Sequence, residues 1–220
     1  MNYMLYVVST PIGNLGDITY RAVEVLKSVD LIACEDTRKT RILAGHYGIR
    51  THLTSYYEYN KAAKGDYILR ILKEGKRVAL VSDAGTPGIS DPGFSLIRSV
   101  LDSGIGVVSI PGPTALISAL SISGLATNKF FFEGFLPVKG GPRKKRLTWL
   151  KGLGTTIVVY ESPHRLLKTL EDMAEILGDK KIVVAREITK KFEEAIQAGP
   201  QELIKRFKAS KPRGEFVLMF

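Results

Sequence analysis

From residue 4 to residue 110 the chain alternates short, apolar, β-rich runs with helix-length stretches, and this rhythm narrows the fold more than any other feature. Met4–Ser9, Leu31–Cys34, Arg77–Ser82 and Val107–Ile110 read as strands. Between them, Thr19–Ser28, Thr37–Tyr47, Asn60–Glu74 (stopped by Gly75) and Phe94–Asp102 read as helices. Apolar strands separated by helices predict a largely parallel sheet. Pro111-Gly112-Pro113 then breaks the rhythm, and Thr114 stands where it would cap a small-residue helix, Ala115–Ser123. The domain junction is expected here, giving units 1–113 and 114–220. In the second half, strands are expected at Lys129–Gly134, Thr156–Tyr160, Lys181–Arg186, Glu193–Gln197 and Glu215–Phe220, and helices near Arg143–Leu150, Pro163–Leu177 and Pro200–Lys208. Glu193 follows Arg186 too closely for a parallel crossover, so the second sheet is expected to be mixed. The expected fold class is α/β, with two α/β domains.

Composition removes several classes of function. With 45% apolar and 25% charged residues in 220, the chain can bury a sizeable core and is not intrinsically disordered. It has no run of about 18 apolar residues, so no membrane-spanning helix is expected. Met1–Ser9 lacks a basic segment and a cleavage site, and the single Cys34 cannot close an internal disulfide; both fit a cytoplasmic protein. Three scattered histidines and one thiol exclude a His/Cys metal cage, and no metal is expected. The net charge of +10 is uneven: residues 1–113 hold 13 basic against 11 acidic side chains, residues 114–220 hold 19 against 11. That asymmetry points to a polyanionic partner for the second half, against the plainer reading of a solubilising surface.

The stretch Ser82-Asp83-Ala84-Gly85-Thr86-Pro87-Gly88-Ile89-Ser90-Asp91-Pro92-Gly93 follows an apolar strand and precedes a helix. It therefore falls at the carboxyl edge of a sheet, where open α/β folds bind ligands. Its glycines let a ligand approach the backbone, and Asp83 and Asp91 suit a cationic or hydroxyl-rich ligand better than a phosphate. Ser9–Asp17 follows the first strand in the same way, and Pro111–Ala115 supplies a third loop. Neither the P-loop pattern nor GxGxxG occurs, which removes the main support for a nucleotide triphosphate or dinucleotide site.

Five motifs in order, Ser9–Asp17, Cys34-Glu35-Asp36-Thr37-Arg38, Asp83–Gly93, Tyr160-Glu161-Ser162-Pro163-His164-Arg165 and Ala185-Arg186-Glu187-Ile188-Thr189-Lys190, resemble the ribosomal RNA small-subunit methyltransferase I family. That family is the RNA-modifying branch of the tetrapyrrole (corrin/porphyrin) methylases, and the match is collinear from Tyr6 to Phe220. The resemblance implies S-adenosylmethionine as methyl donor, bound in a cleft between the two domains, and a homodimer. It implies 2′-O-methylation of a cytidine in the decoding region of 16S ribosomal RNA, with the RNA or the small ribosomal subunit as partner. It further implies that Ala84, Gly85 and Thr86 hold the methionine portion of the donor and that Ile89 borders the adenosine. Thr114 and Ala115 would contact the donor from across the cleft. Asp83 and Ser90 belong to the same donor loop, Pro11 shapes the substrate side, and Tyr160 covers the adenine or is a core aromatic.

Lys139–Lys151 carries six positive charges and no negative one. Like charges this dense repel one another, and RNA phosphate would relieve the repulsion, so Arg143, Lys144, Lys145 and Arg146 are candidate RNA contacts, with Arg38 in a second, smaller cluster; a solvated helix face is the alternative. Gly140-Gly141-Pro142 reads as a hinge before this helix. For the reaction, Arg186, Glu187 and Lys190 form the best catalytic set, with Glu187 taking the hydroxyl proton; Glu35, Asp36 and Glu161 are other carboxylates placed after strands, and a structural salt bridge explains Glu187 as well. The competing functions are a methyltransferase acting on a tetrapyrrole or other small molecule, and a noncatalytic RNA-binding module.

Overall fold

Five strands of the first unit pair in parallel in the order β3-β2-β4-β1-β5: β1 (Met4–Val8), β2 (Leu31–Cys34), β3 (Leu53–Ser55), β4 (Val78–Val81) and β5 (Gly106–Ile110). The computed structural model describes residues 3–220, and the chain divides into two compact units, the first ending at Thr114 and the second running from Ala115 to Phe220. Every residue of β2 and β4 is buried, which is why these segments read as unbroken apolar runs without alternation.

The chain leaves β1 toward β2 and returns over the sheet to β4, then passes β1 on its way to β5. Right-handed crossovers in opposite directions place their helices on opposite faces. Accordingly α1 (Tyr20–Ser28) and α2 (Thr37–Tyr47) pack on one face, through Ala22, Leu26 and Ala44. α3 (Lys61–Lys73) and α4 (Phe94–Asp102) pack on the other, through Ile68, Leu72, Leu96 and Val100. The adjacent strands β1 and β4 flank the point where the winding reverses. That is where such sheets open a ligand crevice.

The second unit carries α5 (Ala115–Ser121) and a sheet ordered β6-β7-β10-β8-β9. Its strands are β6 (Phe130–Phe135), β7 (Thr156–Glu161), β8 (Ile182–Arg186), β9 (Glu194–Ala198) and β10 (Phe216–Met219). β6 and β7 are parallel and the remaining pairs antiparallel, the mixed sheet that the short Arg186–Glu193 interval dictates. α6 (Gly140–Lys151), α7 (Leu166–Leu177) and α8 (Pro200–Ser210) cover it through a core that includes Leu147, Leu170, Met173 and Phe207.

Several boundaries differ from expectation for local reasons. β3 has three residues, too few for a periodic signal. α6 begins at Gly140, so Gly140-Gly141-Pro142 is not a hinge but the first helical turn, where a proline's missing N–H costs nothing. α7 begins at Leu166, because the amides of Arg165 and Leu166 both turn back onto the Ser162 carbonyl.

Candidate active site

The loops leaving β1, β4 and β5 are fastened to one another. Thr10 and Gly85 exchange two backbone hydrogen bonds of 2.9 Å each, forming an isolated bridge just past the strand ends. Thr10 Oγ1 donates to the Ser82 carbonyl at 3.2 Å, and the Ser9 and Thr86 hydroxyls meet at 2.8 Å. Thr86 Oγ1 also lies 3.5 Å from the Pro113 carbonyl. Two glycines are required here. Gly85 has φ +81°, and a Cβ at Gly112 would come within 2.9 Å of the Ser9 Cβ. Gly112 had a sequence signal only as a chain breaker; its function is to let the third loop lie against β1.

No Lys or Arg occurs between Ser82 and Gly93, while carboxylates gather. Burial pushes the Asp91 carboxyl up to about 6, reinforced by the charges of Glu35 and Asp83 and opposed by a hydrogen bond with the Ser82 side chain. Glu35 is raised as well, first by burial and then by the charge of Asp83. This edge is short of positive charge, a property that suits a sulfonium cation and repels a phosphate. The partly exposed Thr86 hydroxyl and Pro113 carbonyl are neutral acceptors at this edge, while the buried Ser9 and Thr10 hydroxyls hold the loops together. Ala84, Ile89 and Ser90 are exposed on the same loop, and Ser90 sits at φ +60°. Asp83 is drawn to α2 instead: its Oδ1 accepts the Asp36 N–H at 3.0 Å and its Oδ2 meets Lys39 Nζ at 2.7 Å. Asp36 caps α2 by accepting from Arg38 N, and its grip on the Arg38 side chain holds its carboxyl at about 2. Pro11 lies beside this pair, half-buried.

Thr114 and Ala115 lead into α5, whose Leu116 N–H donates to Tyr160 Oη at 3.0 Å. Tyr160, near the end of β7, also stands edge-on to Phe132 and Phe135, with ring centroids 4.9 and 5.9 Å away. The neighbouring Glu161 is fully buried and hydrogen-bonded by Thr169 Oγ1 and Ser162 N, a structural group with no access to a substrate.

Arg186, Glu187 and Lys190 lie at the end of β8, and the structure joins two of them. Lys190 Nζ donates to Glu187 Oε1 at 3.0 Å and to Glu215 Oε2 at 2.8 Å. Arg186 instead donates to Glu194 Oε1 at 3.0 Å and to the Arg213 carbonyl at 2.7 Å. Burial pushes the Glu187 carboxyl up, but hydrogen bonds from Lys190 and the Glu215 amide, with the charges of Lys190 and Arg186, hold it below the ordinary range. A carboxylate so stabilised is a weak base. The turn is strained, with Glu187 at φ +49° and Thr189 at φ +69°, and Thr189 Oγ1 is buried without a partner among the described residues. Gly214 makes the geometry possible, since a Cβ there would lie 2.5 Å from the Glu187 carboxyl carbon. The sequence carried no sign of this.

The basic helix corrects an expectation. Arg143 is buried, its Nε 2.6 Å from Asp172 Oδ2 and its Nη1 donating to the Val138 carbonyl, so it is a core ion pair and not available to phosphate. Lys144 pairs with Glu175 at 2.5 Å, and Arg146 binds both Glu133 oxygens at 2.7 Å while lying 4.0 Å from the centroid of the half-exposed Trp149 ring. The repulsion inferred from the run itself is thus relieved from β6 and α7. Lys145 alone of the four is exposed with no ion pair among the described residues. In the first unit the Arg38 side chain is 86% exposed. No cluster of three or more His, Cys, Asp or Glu that could hold a metal ion occurs among the described residues, and none of their helices is long and apolar enough to cross a membrane.

Residues 4–203 match the sequence profile of the Tetrapyrrole (Corrin/Porphyrin) Methylases. The chain is 51% identical over 216 residues to the ribosomal RNA small subunit methyltransferase I of Bacillus subtilis (strain 168), covering 98% of this chain and 74% of that protein. It is 48% identical to the protein of the same name from Thermotoga maritima, covering 98% and 96%. Among solved structures, a diphthine synthase superposes with TM-score 0.78 at 12% identity, covering 98% of this chain and 88% of that one. A cobalt precorrin-4 methyltransferase superposes with TM-score 0.74 at 16% identity, covering 99% and 95%. These two likenesses establish the fold. The sequence profile and the relatives lead to one assignment: the chain belongs to the tetrapyrrole (corrin/porphyrin) methylase family, in the branch of the ribosomal RNA small subunit methyltransferases I.

Proposed function

We propose that this chain transfers a methyl group from S-adenosylmethionine to small-subunit ribosomal RNA, at the 2′-oxygen of a cytidine in the decoding region of the 16S molecule. The observation that carries the donor is the edge around the Thr10–Gly85 bridge, with neutral acceptors and half-buried carboxylates and free of cations from Ser82 to Gly93. The acceptor follows the name shared by relatives that match nearly the whole chain.

Bound S-adenosylmethionine would supply an electrophilic methyl group on a cationic sulfur. Ala84, Gly85 and Thr86 hold its methionine portion, Gly85 by permitting close approach since its own N–H and carbonyl are bonded to Thr10, Ile89 and Ser90 border the adenosine, and Thr114 and Ala115 complete the donor contacts. Tyr160 contributes by fixing the first turn of α5 through Leu116 N. Asp91 and Glu35 favour the positive charge electrostatically, without touching it. A ribose hydroxyl is a poor nucleophile, so orientation of the acceptor is the larger demand on the protein. Lys190 and Arg186 are assigned to the acceptor, and Glu187 positions Lys190. Arg38 and Lys145 are assigned to RNA phosphate, with Lys144 and Arg146 contributing only where they exchange their present carboxylate partners. The enzyme works without a metal, as a homodimer, in the cytoplasm.

Calorimetric titration with S-adenosylmethionine tests the donor assignment. Saturable one-site binding unchanged by a chelator is expected; absence of binding, or binding that needs an added metal, would contradict it.

A further inference from the structure

Beside the ends of β1 and β4, against α2, lies a cavity of about 140 Å³. Pro11, Ile42 and Leu43 line it with apolar surface, and Ser82, Asp83 and Lys39 with polar groups. Cavities of about 150 Å³ lined by aliphatic side chains take up a benzene ring. Pockets for ligands the size of S-adenosylmethionine start at about 300 Å³. This cavity therefore has room for one six-membered ring and is smaller than a site for the whole donor. Among its lining residues Ile42, on α2, is 69% exposed.

Its polar groups distinguish one ring from another. The Asp83 carboxylate only accepts hydrogen bonds, and the Lys39 ammonium 2.7 Å from it only donates. A ring that fits the pair must carry a donor next to an acceptor. The 4-amino group of cytosine beside ring N3 has that order, whereas uracil would turn its 4-oxygen toward the carboxylate. The cations of α2, the helix that walls the cavity, distinguish an RNA base from the donor's adenine. Arg38 is exposed, and Arg41, one turn further along α2, is exposed with no ion pair among the described residues. Such cations oppose a sulfonium and attract the phosphates that flank an RNA base.

We propose that this cavity receives the cytosine base of the acceptor nucleotide, with Asp83 accepting from its 4-amino group, Lys39 donating to the adjoining ring acceptors, and Arg38 and Arg41 meeting the flanking phosphates. The proposal rests on the reading of the chain as a cytidine methyltransferase and adds how the cytidine is selected. Asp83 and Lys39 are then specificity residues.

The test uses small ribosomal subunits carrying either cytidine or uridine at the methylated position. Wild type, Asp83→Asn and Ile42→Glu are compared, with affinity for S-adenosylmethionine measured separately. Wild type should methylate only the cytidine subunits efficiently. In D83N the new amide can donate to the 4-oxygen of uracil, so the preference for cytidine in kcat/KM should fall about tenfold, the size of one good base contact. I42E places a carboxylate beside the phosphates on an exposed position that the fold tolerates, and should raise KM for subunits about tenfold. I42E should bind the donor within about twofold of wild type, whereas D83N, which also frees the Lys39 ammonium, is compared on its two substrates at saturating donor. An unchanged preference in D83N together with an unchanged KM in I42E would overturn the proposal, and so would loss of donor affinity in I42E, which would hand the cavity to the donor. If D83N does not fold, I42E decides alone. Wild type that methylates neither subunit would sink the functional reading itself, an outcome distinct from the others.

Discussion

The carboxylates at the edge of the first sheet and those at the end of β8 have been pushed in opposite directions. Glu35 and Asp91 are held above their ordinary range, whereas Glu187 and Glu194 are held below theirs. Burial raises all four, so burial does not separate them. Cations do. In the second unit Lys190, Arg186 and Arg206 outweigh burial with direct hydrogen bonds. The cation that acts on Glu35, Lys39, is already engaged by Asp83. One edge is left wanting a positive charge, and the other has satisfied its own. On the proposed reading the first edge meets the cationic donor, while the ion pairs of the second hold Lys190 and Arg186 for the acceptor.

The largest effect is expected at an ion pair that the second unit has closed on itself. Arg143→Ala leaves Asp172 buried without its main partner and should lower stability by about 3 kcal/mol in a denaturant titration; a loss under 1 kcal/mol would return Arg143 to the pool of available cations. Next in size, Gly85→Val forces a β-branched residue into φ +81° at the bridge to Thr10. Affinity for S-adenosylmethionine should drop about 100-fold by calorimetry, and undiminished binding would remove this loop from the donor site. A smaller effect follows from Asp91. A cation nearby favours its ionised form, so donor binding should release a proton near pH 6, and affinity should fall about tenfold from pH 8 to pH 5. Asp91→Asn should flatten that profile. Without ligand the sign on the fold is opposite: Asp91 holds its proton more tightly folded than unfolded, so its contribution to stability declines as pH rises from about 4 to about 6. The smallest change is expected at Glu187→Gln. Its ion pair with Lys190 is partly exposed, so stability should shift by less than about 1 kcal/mol. Turnover on small subunits should fall about tenfold through loss of Lys190 positioning, with donor affinity retained, whereas a base would cost 100-fold or more.

Much of this was legible in the residues. Strand–helix alternation gave four of the five strands of the first sheet, because buried parallel strands announce themselves as apolar runs such as Val78–Val81. The mixed second sheet was legible in a single short interval. The loop chemistry of Asp83–Gly93 pointed to a cation before any geometry was known. What stayed hidden depends on partners distant in sequence. The run Arg143–Arg146 looks unpaired along the chain, yet Glu133 on β6 and Asp172 and Glu175 on α7 neutralise three of its four charges. Gly214 reads as an ordinary loop glycine and is the residue against which Glu187 lies. Asp83 reads as a donor ligand, and only the fold shows it turned to Lys39.

On the proposed reading, the charge-deficient edge of the first unit presents S-adenosylmethionine for transfer to a ribose oxygen of small-subunit RNA. Incubating unmethylated small ribosomal subunits with the enzyme and S-adenosylmethionine labelled in its methyl group, then digesting the RNA to nucleosides, tests it most directly. The label should appear in 2′-O-methylcytidine, at one position in the decoding region, in wild type and not in Gly85→Val. Label recovered in N4-methylcytidine or another base-methylated nucleoside, or none in RNA despite saturating donor binding, would contradict it.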